Sequence, residues 1–353
     1  MPPTEMTFGR AIATARKERG LSQKELAALT LKEDGTAISP QYLNDIEHDR
    51  RSPTSDHLIS QFAHVLEKDA GYLFVLAGKI PEEIRRTHAS EAKVSKILPT
   101  SDASLAKPEA DRKIMKLVRD TTGRFTLRPH YEPSELDQEC ERILFAFLQA
   151  RHGTIEFPLS TDDLTVLIEQ HADSLDMYAD LSPHGEDVQG VTEFYPDDAP
   201  KVSISKRIAN DQRRKNRLRS TLAHEFGHVH FHRHLWDEKL RPGELFARND
   251  PTNKAICKLD TIIDAPSYDW MEWQAGYVSG AILVSSSRAR RLVGDYCAER
   301  GLHGDVPVWS HHGGALIGMI REAFEVSEQA ARVRLLKLRL ITSTDAQPSL
   351  FGG

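Results

Sequence analysis

The most constraining feature of this chain is the segment from Thr221 to His228, which reads Thr-Leu-Ala-His-Glu-Phe-Gly-His. On a helix, histidines four residues apart project from one face, so a single turn holds His224 and His228 at a fixed separation. Two neutral imidazoles held in this way suit a divalent cation. Glu225, beside the first histidine, is placed to accept a proton from a water that the cation activates. The alternative is a solvent-exposed His/Glu face on an amphipathic helix.

A catalytic zinc needs a third protein ligand and keeps one position open, so the motif predicts a ligand on a second element. Residues 269–284 supply a candidate. Their large apolar side chains recur at helical spacing, and an adjoining face carries Glu272 with the small residues Gly276 and Ser279. Small residues let a neighbouring helix approach closely, which makes Glu272 the predicted third ligand; an ordinary exposed glutamate is the alternative. We expect the remaining histidines of the motif region to lie in solvent past the helix end: His230, His232 and His234.

Length and composition narrow the class of protein. A chain of 353 residues with 39% hydrophobic residues can build two domains and a linker. The net charge of -6 means that any DNA binding depends on a local basic patch. The three cysteines include no C-x-x-C pair, which argues against a disulfide framework and a structural zinc ribbon and favours a reducing cytosol. With no signal peptide or membrane-spanning run in the sequence, we expect a cytoplasmic protein without a membrane partner.

Hydrophobic periodicity divides the chain into four parts and predicts a mainly α protein with a small β-sheet (α+β). Residues 1–80 are expected to form an all-α domain of short helices. Residues 81–133, rich in Ser, Thr, Pro, Lys and Glu, have the composition of a flexible linker, with one short helix around 114–118. Residues 134–341 are expected to form a second domain, and residues 342–353 a disordered tail.

In the second domain the pattern predicts helices from Ser134 and over 161–172, followed by strands at 188–194 and 201–205. A small sheet therefore precedes the metal-binding helix. A run of basic residues lies between the two: Lys206, Arg207, Arg213, Arg214, Lys215, Arg217 and Arg219. Such a run could bind phosphates, but we favour a solvated face or partners for the acids of the same domain.

The amino-terminal helices carry clear start signals. Ser22 is expected to cap a second helix, with Glu25 completing a capping box, and Ser39 with Pro40 starts a third helix. The residues expected to face outward from the third helix are Gln41, Tyr42, Asn44 and Asp45. Because Gln and Asn pair bidentately with adenine in the major groove, two short helices with such a face predict a helix-turn-helix.

This segment resembles the repressor-type helix-turn-helix family known as XRE or Cro/C1. The matching residues are Leu21 to Ala27, Ile38 to Glu47, Arg50, Arg51 and Pro53. The resemblance implies a double-stranded DNA operator and, because such readers use two half-sites, a homodimer. The DNA-binding residues that it implies are Gln23 near phosphate or an outer base, Gln41 and Asn44 at base edges, Tyr42 on the same outward face, and Lys24, Arg50 and Arg51 at the backbone. The alternative is a small helical bundle used for protein contacts or dimerisation.

Two departures distinguish this segment from the usual pattern of that family. The turn before the third helix is lengthened by Leu31 to Gly35. His48-Asp49 stands where a glycine usually follows the glutamate. Both departures bear on individual DNA contacts and leave the overall resemblance in place.

Residues from about 135 to 341 resemble the ImmA/IrrE family of cytoplasmic metallopeptidases. The matching segments are Gly190 to Thr192, Arg219 to His228, Glu272 to Ala275, Phe324 to Ala330, and Arg334-Leu335. In that family the two motif histidines and the later glutamate hold zinc, and the motif glutamate is the general base. Carried over residue by residue, the resemblance implies a zincin-like metallopeptidase domain in which His224, His228 and Glu272 are ligands and Glu225 is the base.

The same resemblance implies a regulator that cleaves a repressor partner or its own chain in response to stress, a mobile element or a defence signal. It implies one Zn²⁺ per chain, since two imidazoles and a carboxylate suit Mn²⁺ and Fe²⁺ less well. The alternative is a non-proteolytic transcription factor whose metal domain is a sensor or dimerisation module. The intact Glu225 favours the first, and Gly276, which replaces a family asparagine, favours the second. A transition-state donor is also expected, with four candidates: Tyr277, His303, His311 and His312.

Overall fold

The structure is a computed structural model that describes residues 6–53, 55–79, 117–120, 122, 125, 127–195, 198–239, 254–258 and 269–343. The chain divides into two compact units, the first containing the amino-terminal helices and the second containing the His-Glu motif. The predicted fold class, mainly α with a small β-sheet, is confirmed.

The amino-terminal unit is built from short helices around one core. In its described part these are α1 (Phe8–Glu18), α2 (Gln23–Leu29), α3 (Pro40–Glu47), α4 (Asp56–Leu66) and α5 (Ala70–Leu76). The capping box predicted for α2 is confirmed: Ser22 Oγ accepts from Glu25 N, and the Glu25 carboxylate accepts from Ser22 N. Ser39 caps α3, and Pro40 occupies its first turn as predicted. The core includes Ile12, Leu26, Leu43, Ile46, Ile59 and Phe62.

The lengthened connection between α2 and α3 is a miniature hairpin. Leu31 and Ala37 form an antiparallel bridge, and Lys32 N donates to Thr36 O at 2.8 Å. The Asp34 carboxylate accepts from Thr36 N at 2.8 Å and closes the turn. These hydrogen bonds order the inserted residues, so α3 begins at a defined place after α2.

Another hairpin lies in the segment predicted as linker. Strands β1 (Leu117–Arg119) and β2 (Leu127–Pro129) pair antiparallel, with Val118 opposite Arg128. This pairing corrects the linker prediction for these two strands, and it corrects the short helix expected around 114–118 where the chain is described. The partner strand stabilises these residues, and local composition does not reveal that partner. Residues 81–116 lie outside the described part of the chain, so the linker there stays a prediction.

The second unit combines helices with one four-stranded sheet. Its described helices are α6 (Pro133–His152), α7 (Thr161–Glu169), the single turn α8 (Lys206–Ala209), α9 (Lys215–Phe231), α10 (His234–Lys239), α11 (Trp270–Leu283), α12 (Ser286–Glu299), α13 (His311–Phe324) and α14 (Glu328–Lys337). Its described strands are β3 (Ser174–Ala179), β4 (Val188–Glu193), β5 (Lys201–Ser205) and β6 (Lys254–Lys258). The four predicted elements are confirmed as α6, α7, β4 and β5, and β3 and β6 add to the predicted sheet.

The sheet has the order β3-β5-β4-β6. β3 runs parallel to β5, and the other neighbouring strands are antiparallel. Near the centre, Gly190 of β4 lies opposite Ile204 of β5 and Cys257 of β6. α9 packs against β4, β5 and β6, so central strand residues face the helix that carries the His-Glu motif.

The motif helix α9 packs closely against α11. Gly227 permits this approach, because a Cβ at this position would lie only 2.9 Å from the Cα of Ala275. Further along the same contact, Ser279 Oγ donates to the carbonyl oxygen of Ser220 at 3.0 Å. The face of small residues predicted on the second helix is therefore the face that meets the motif helix.

Buried polar groups fix α11 from its other side. Arg334 on α14 donates to Asp137 Oδ1 at 2.6 Å and to Val284 O at 3.0 Å. The Tyr277 hydroxyl donates to Asp137 Oδ2 at 3.0 Å. A buried charge is costly unless it is paired and hydrogen-bonded, so this network holds α6, α11 and α14 in one arrangement.

The basic run before the motif contacts acids and carbonyl groups of its own unit. Arg219 is buried and donates to the carbonyl oxygens of Leu159 at 2.8 Å and Phe324 at 3.1 Å. The ion pairs of the run are Lys206–Asp180, Arg207–Glu186, Arg213 and Arg214 with Asp211, and Lys215–Glu325. These ion pairs confirm the prediction that basic residues of this run pair with acidic residues of the same domain.

The second unit extends slightly past its predicted end at residue 341. Thr342 O accepts from Val308 N at 2.8 Å, and Thr342 N donates to Val306 O at 2.9 Å. The second unit therefore ends at least one residue later than predicted. The tail from residue 344 onward lies outside the described part of the chain.

We expect Gly227→Ala to lower the free energy of unfolding of the second unit by about 1–3 kcal/mol, because the new methyl group meets backbone of α11. All four tryptophans follow residue 230, so urea unfolding followed by tryptophan fluorescence reports on this unit. Gly294→Ala on α12 is the matched control. A Cβ there meets nothing within 4 Å, and the change should stabilise the helix by about 0.5–1 kcal/mol. Equal stability of the two variants would show that the helix contact is not tight.

Candidate metal centre and DNA-binding face

Three side chains from α9 and α11 converge as the sequence predicts. His224 Nε2 lies 3.1 Å from Glu272 Oε2, and His228 Nε2 lies 3.2 Å from Glu272 Oε1. The two Nε2 atoms are 3.2 Å apart. The histidines have no exposed surface, and Glu272 is 9% exposed. These three form the one His/Cys/Asp/Glu group among the described residues whose ligand atoms are close enough to share a metal ion.

The ligand atoms are spaced as they would be around a tetrahedral zinc. Ligand atoms at about 2.0–2.1 Å from such an ion are about 3.3 Å apart. The two Nε2 atoms are 3.2 Å apart, and each lies 3.1–3.2 Å from one oxygen of Glu272, His224 from Oε2 and His228 from Oε1. Two imidazole nitrogens and a carboxylate are also a common catalytic zinc donor set. The residues present therefore fit the ion that the sequence predicts, with His224, His228 and Glu272 as its protein ligands.

The charge state of Glu272 suits this role. Burial opposes ionisation of its carboxyl group, but the neighbouring imidazoles of His228 and His224 hold the pKa of Glu272 well below its usual range. The carboxylate is therefore ionised at neutral pH. An ionised carboxylate beside two imidazole nitrogens is a donor set for a divalent cation.

Glu225 lies next to this triangle on the side of the sheet. Its Oε2 accepts from Thr192 Oγ of β4 at 2.5 Å. Its Oε1 is buried and has no hydrogen-bond partner among the described residues. Gly190 leaves room for this oxygen, because a Cβ at residue 190 would overlap it. Burial raises the pKa of Glu225, against the effect of His228 and His224, which moves the group toward the range of a general base.

Cys257 is a neighbour of Glu225 that the sequence alone does not place. It lies opposite Gly190 in the sheet and is fully buried. Burial, followed by the charge of Glu225, raises the pKa of the Cys257 thiol well above its usual range. The thiol is therefore neutral, and among the described residues the metal-binding group does not include it.

His232 belongs to the site, which corrects the prediction that it lies in solvent. It has no exposed surface, and its Nδ1 lies 3.0 Å from His228 Nδ1. Its Nε2 lies 3.1 Å from Gln274 Oε1 of α11. Burial holds the pKa of His232 well below its usual range. The signal was present in the sequence, because residue 232 is one helical turn beyond His228.

The other two histidines of this segment do not join the site. His230 is half-buried and stacks on Phe226, and its Nε2 lies 3.4 Å from Glu139 Oε1. His234 is half-buried at the start of α10. The prediction that both lie in open solvent therefore needs correction as well, although neither contacts the metal-binding triangle in the described part of the chain.

The four candidate transition-state donors are not brought to the centre. The Tyr277 hydroxyl is committed to Asp137, and burial raises the pKa of Tyr277 to about 12. His303 is exposed in the turn after α12. His311 and His312 begin α13, where their rings lie edge to face and His312 Nδ1 lies 3.0 Å from the Tyr296 hydroxyl. Among the described residues, none of the four contacts His224, His228 or Glu272, so spacing along the sequence did not identify this donor.

On the amino-terminal unit, most of the predicted DNA contacts are accessible. Lys24, Gln41, Arg50 and Arg51 are exposed, and Tyr42 is half-buried. The Arg51 guanidinium lies 5.3 Å from the centre of the Tyr42 ring, and Arg50 Nε lies 3.2 Å from an Asp45 carboxylate oxygen. These side chains can reach a nucleic-acid surface without any change in the helices.

Gln23 and Asn44 differ from the prediction because both are buried. Gln23 Nε2 donates to Asn44 Oδ1 at 3.1 Å and to Glu47 Oε2 at 2.8 Å. Arg16 donates to the other Glu47 oxygen at 2.6 Å. The packing of α2 on α3 turns the Asn44 amide toward α2, so Asn44 serves the contact between the two helices and is not on the outward face.

Comparison with known proteins identifies a family for the amino-terminal helices. Residues 12–72 match the family model of the helix-turn-helix. The amino-terminal unit is thus a helix-turn-helix of the XRE type, the DNA-binding part of a transcriptional regulator. No curated protein matches the chain, and no solved structure matches it. In the part of the chain that the structure describes, no helix has both the length and the apolar character to cross a membrane.

We expect the purified protein to carry one zinc ion per chain, measured by elemental analysis after purification without chelators or metal resin. His224→Gln and Glu272→Gln should lose the ion, because each removes one of three ligands. Glu225→Gln is the matched control for Glu272→Gln, since the same change beside the ligands should leave the zinc content intact. Equal metal content in Glu272→Gln and the wild type would remove Glu272 from the centre.

Gln41→Ala and Asn44→Ala should have different effects. Gln41→Ala is expected to weaken specific DNA binding by about 1–3 kcal/mol without loss of stability, because it removes an exposed contact. Asn44→Ala is expected to lower the free energy of unfolding of the amino-terminal unit by about 1–3 kcal/mol, because it breaks a buried hydrogen bond. Selection from random duplexes followed by titration measures the first effect, and thermal unfolding measures the second. An unchanged sequence preference in Gln41→Ala would contradict the placement of α3 in the groove.

Proposed function

We propose that this protein is a transcriptional regulator whose second domain is a zinc-dependent endopeptidase. One observation carries the proposal: His224, His228 and Glu272 bring their ligand atoms together at zinc spacing, and the Glu225 carboxyl group is close enough for its pKa to respond to the charges of all three. A site that only stores or senses a metal does not need an acid in that place. The resemblance of residues 135–341 to ImmA/IrrE metallopeptidases supports the same reading.

The chemistry follows from the positions of the side chains. When bound, a zinc ion supplies a Lewis acid that polarises a peptide carbonyl and lowers the pKa of a water. Glu225 Oε2 is held by Thr192, so the oxygen left to move a proton is Oε1. That oxygen takes a proton from the attacking water and returns it to the nitrogen of the leaving amine. Burial of Glu225 favours this exchange because it raises the pKa of the carboxyl group.

The domain arrangement supports a protein substrate linked to DNA. The chain joins a helix-turn-helix to the candidate peptidase, so binding at an operator brings the peptidase close to other proteins at the same promoter. The substrate we propose is a repressor at that site or the chain itself. Cleavage of either one in response to a signal would change transcription from that promoter.

A second candidate function is favoured by one observation. His224, Glu225 and His228 have no exposed surface, and Glu272 has little. A polypeptide substrate would reach these groups only after the chain around them opens. In this second view the second domain is a metal sensor that acts on the helix-turn-helix, and no peptide is cut.

Glu225→Gln separates the two candidates. In cells that express the wild type under the inducing stress, we expect trimmed protein products, identified by mass spectrometry of new amino termini. Glu225→Gln should abolish them with zinc still bound, because loss of a general base costs about 10²–10⁴ in rate. His230→Gln, five residues further along the same helix and outside the triangle, is the control that should cleave normally. Products that persist in Glu225→Gln would exclude this residue as the base, and a zinc-loaded wild type that forms none would favour the sensor.

A further inference from the structure

The contacts of His228 differ from those of His224. His228 Nδ1 lies 3.0 Å from His232 Nδ1, and His232 Nε2 lies 3.1 Å from Gln274 Oε1. His224 Nδ1, by contrast, is buried and has no hydrogen-bond partner among the described residues. One zinc ligand is thus supported by a chain of two side chains, and the other is not.

The chemistry of these atoms allows one arrangement of protons when zinc is bound. A zinc ion on His228 Nε2 requires the lone pair of that nitrogen, so the ring proton of His228 resides on Nδ1. The His232 Nδ1 that faces it must then accept, which places the proton of His232 on Nε2. The amide oxygen of Gln274 can only accept, and it faces that N–H. Every group in the chain is satisfied, with each proton pointing away from the metal.

The reverse arrangement fails at the metal and, with the amide oxygen of Gln274 facing His232, at the other end as well. If His232 Nδ1 carried the proton and donated it to His228 Nδ1, the bare Nε2 of His232 would face the Gln274 oxygen, acceptor against acceptor. The proton of His228 would then lie on Nε2, between the metal and its ligand. Burial excludes water that could compensate, because His228 and His232 have no exposed surface.

We infer that His232 and Gln274 are positioning residues that fix the tautomer and ring orientation of the zinc ligand His228. The inference rests on the proposed zinc centre and adds to it. In many metal sites a carboxylate or a backbone carbonyl plays this part. Here a second histidine, His232, lies between the ligand His228 on α9 and the amide oxygen of Gln274 on α11. Gln274 lies two residues after the ligand Glu272, so one helix supplies both a ligand and the outer end of the support.

The experiment measures zinc affinity by competition with a chromophoric chelator, so that no peptidase activity is needed. His232→Phe keeps a planar aromatic ring but removes the acceptor, and it should weaken zinc binding by about 10- to 100-fold. His230→Phe, the same change on the same helix outside the chain of contacts, should retain wild-type affinity. Equal zinc affinity in His232→Phe and the wild type would overturn the inference.

A second pair of variants covers the case in which His232→Phe does not fold. Gln274→Leu removes the acceptor for His232 and should weaken zinc binding, whereas Gln274→Glu keeps an acceptor oxygen and should restore it. A merely structural role would not distinguish them in this way, because burying a new carboxylate should disturb packing at least as much as leucine does. If Gln274→Leu binds zinc as tightly as Gln274→Glu, Gln274 does not support the ligand.

Nitrogen-15 histidine NMR of the zinc-loaded protein gives a direct reading. We expect a proton on His228 Nδ1 and a proton on His232 Nε2, each protected from exchange. Protons on the opposite nitrogens would overturn the inference while leaving the zinc centre intact. A wild type that binds no zinc would overturn the proposed zinc centre and the inference together, so the two failures are distinguishable.

Discussion

The close contact of α9 with α11 at Gly227 is the constraint on which the candidate metal centre depends. The ligands come from two helices, and the contact between Gly227 and Ala275 lies one residue before His228 and three after Glu272. The distance between the helix axes decides whether one carboxylate can reach both imidazoles. A single methyl group at this crossing would lie 2.9 Å from the Cα of Ala275. Because carbon atoms pack at about 3.5–4.0 Å, it would push the helices apart by up to about 1 Å.

The sequence predicted the parts of the site that depend on local periodicity. His224 and His228 are one helical turn apart, and that relation is fixed as soon as the helix forms. Glu272 was predicted because small residues beside it indicated a face on which another helix could lie. The cap of α2 at Ser22 and the start of α3 at Pro40 were predicted for the same reason, since caps are read from neighbouring residues.

Features that depend on contacts between distant segments were missed or misjudged. Asn44 has the chemistry of a base-reading residue, but the packing of α2 turns it toward Gln23. His232 was expected in solvent because its partner Gln274 arrives from another helix. Cys257 sits beside Glu225 because β6 joins β4, and the short β6 had no recognisable pattern. In each case the deciding contact lies far along the chain, beyond the reach of periodicity and composition.

The burial of the ligands has a consequence for kinetics. Of the three side chains, Glu272 alone has measurable exposure, so an ion bound there would leave when the chain around it opens locally. The rate of exchange with ions in solution would then depend on that opening as well as on the affinity of the site. Such a centre would keep the ion it acquired while folding, and its occupancy would record the metal supply at the time of synthesis.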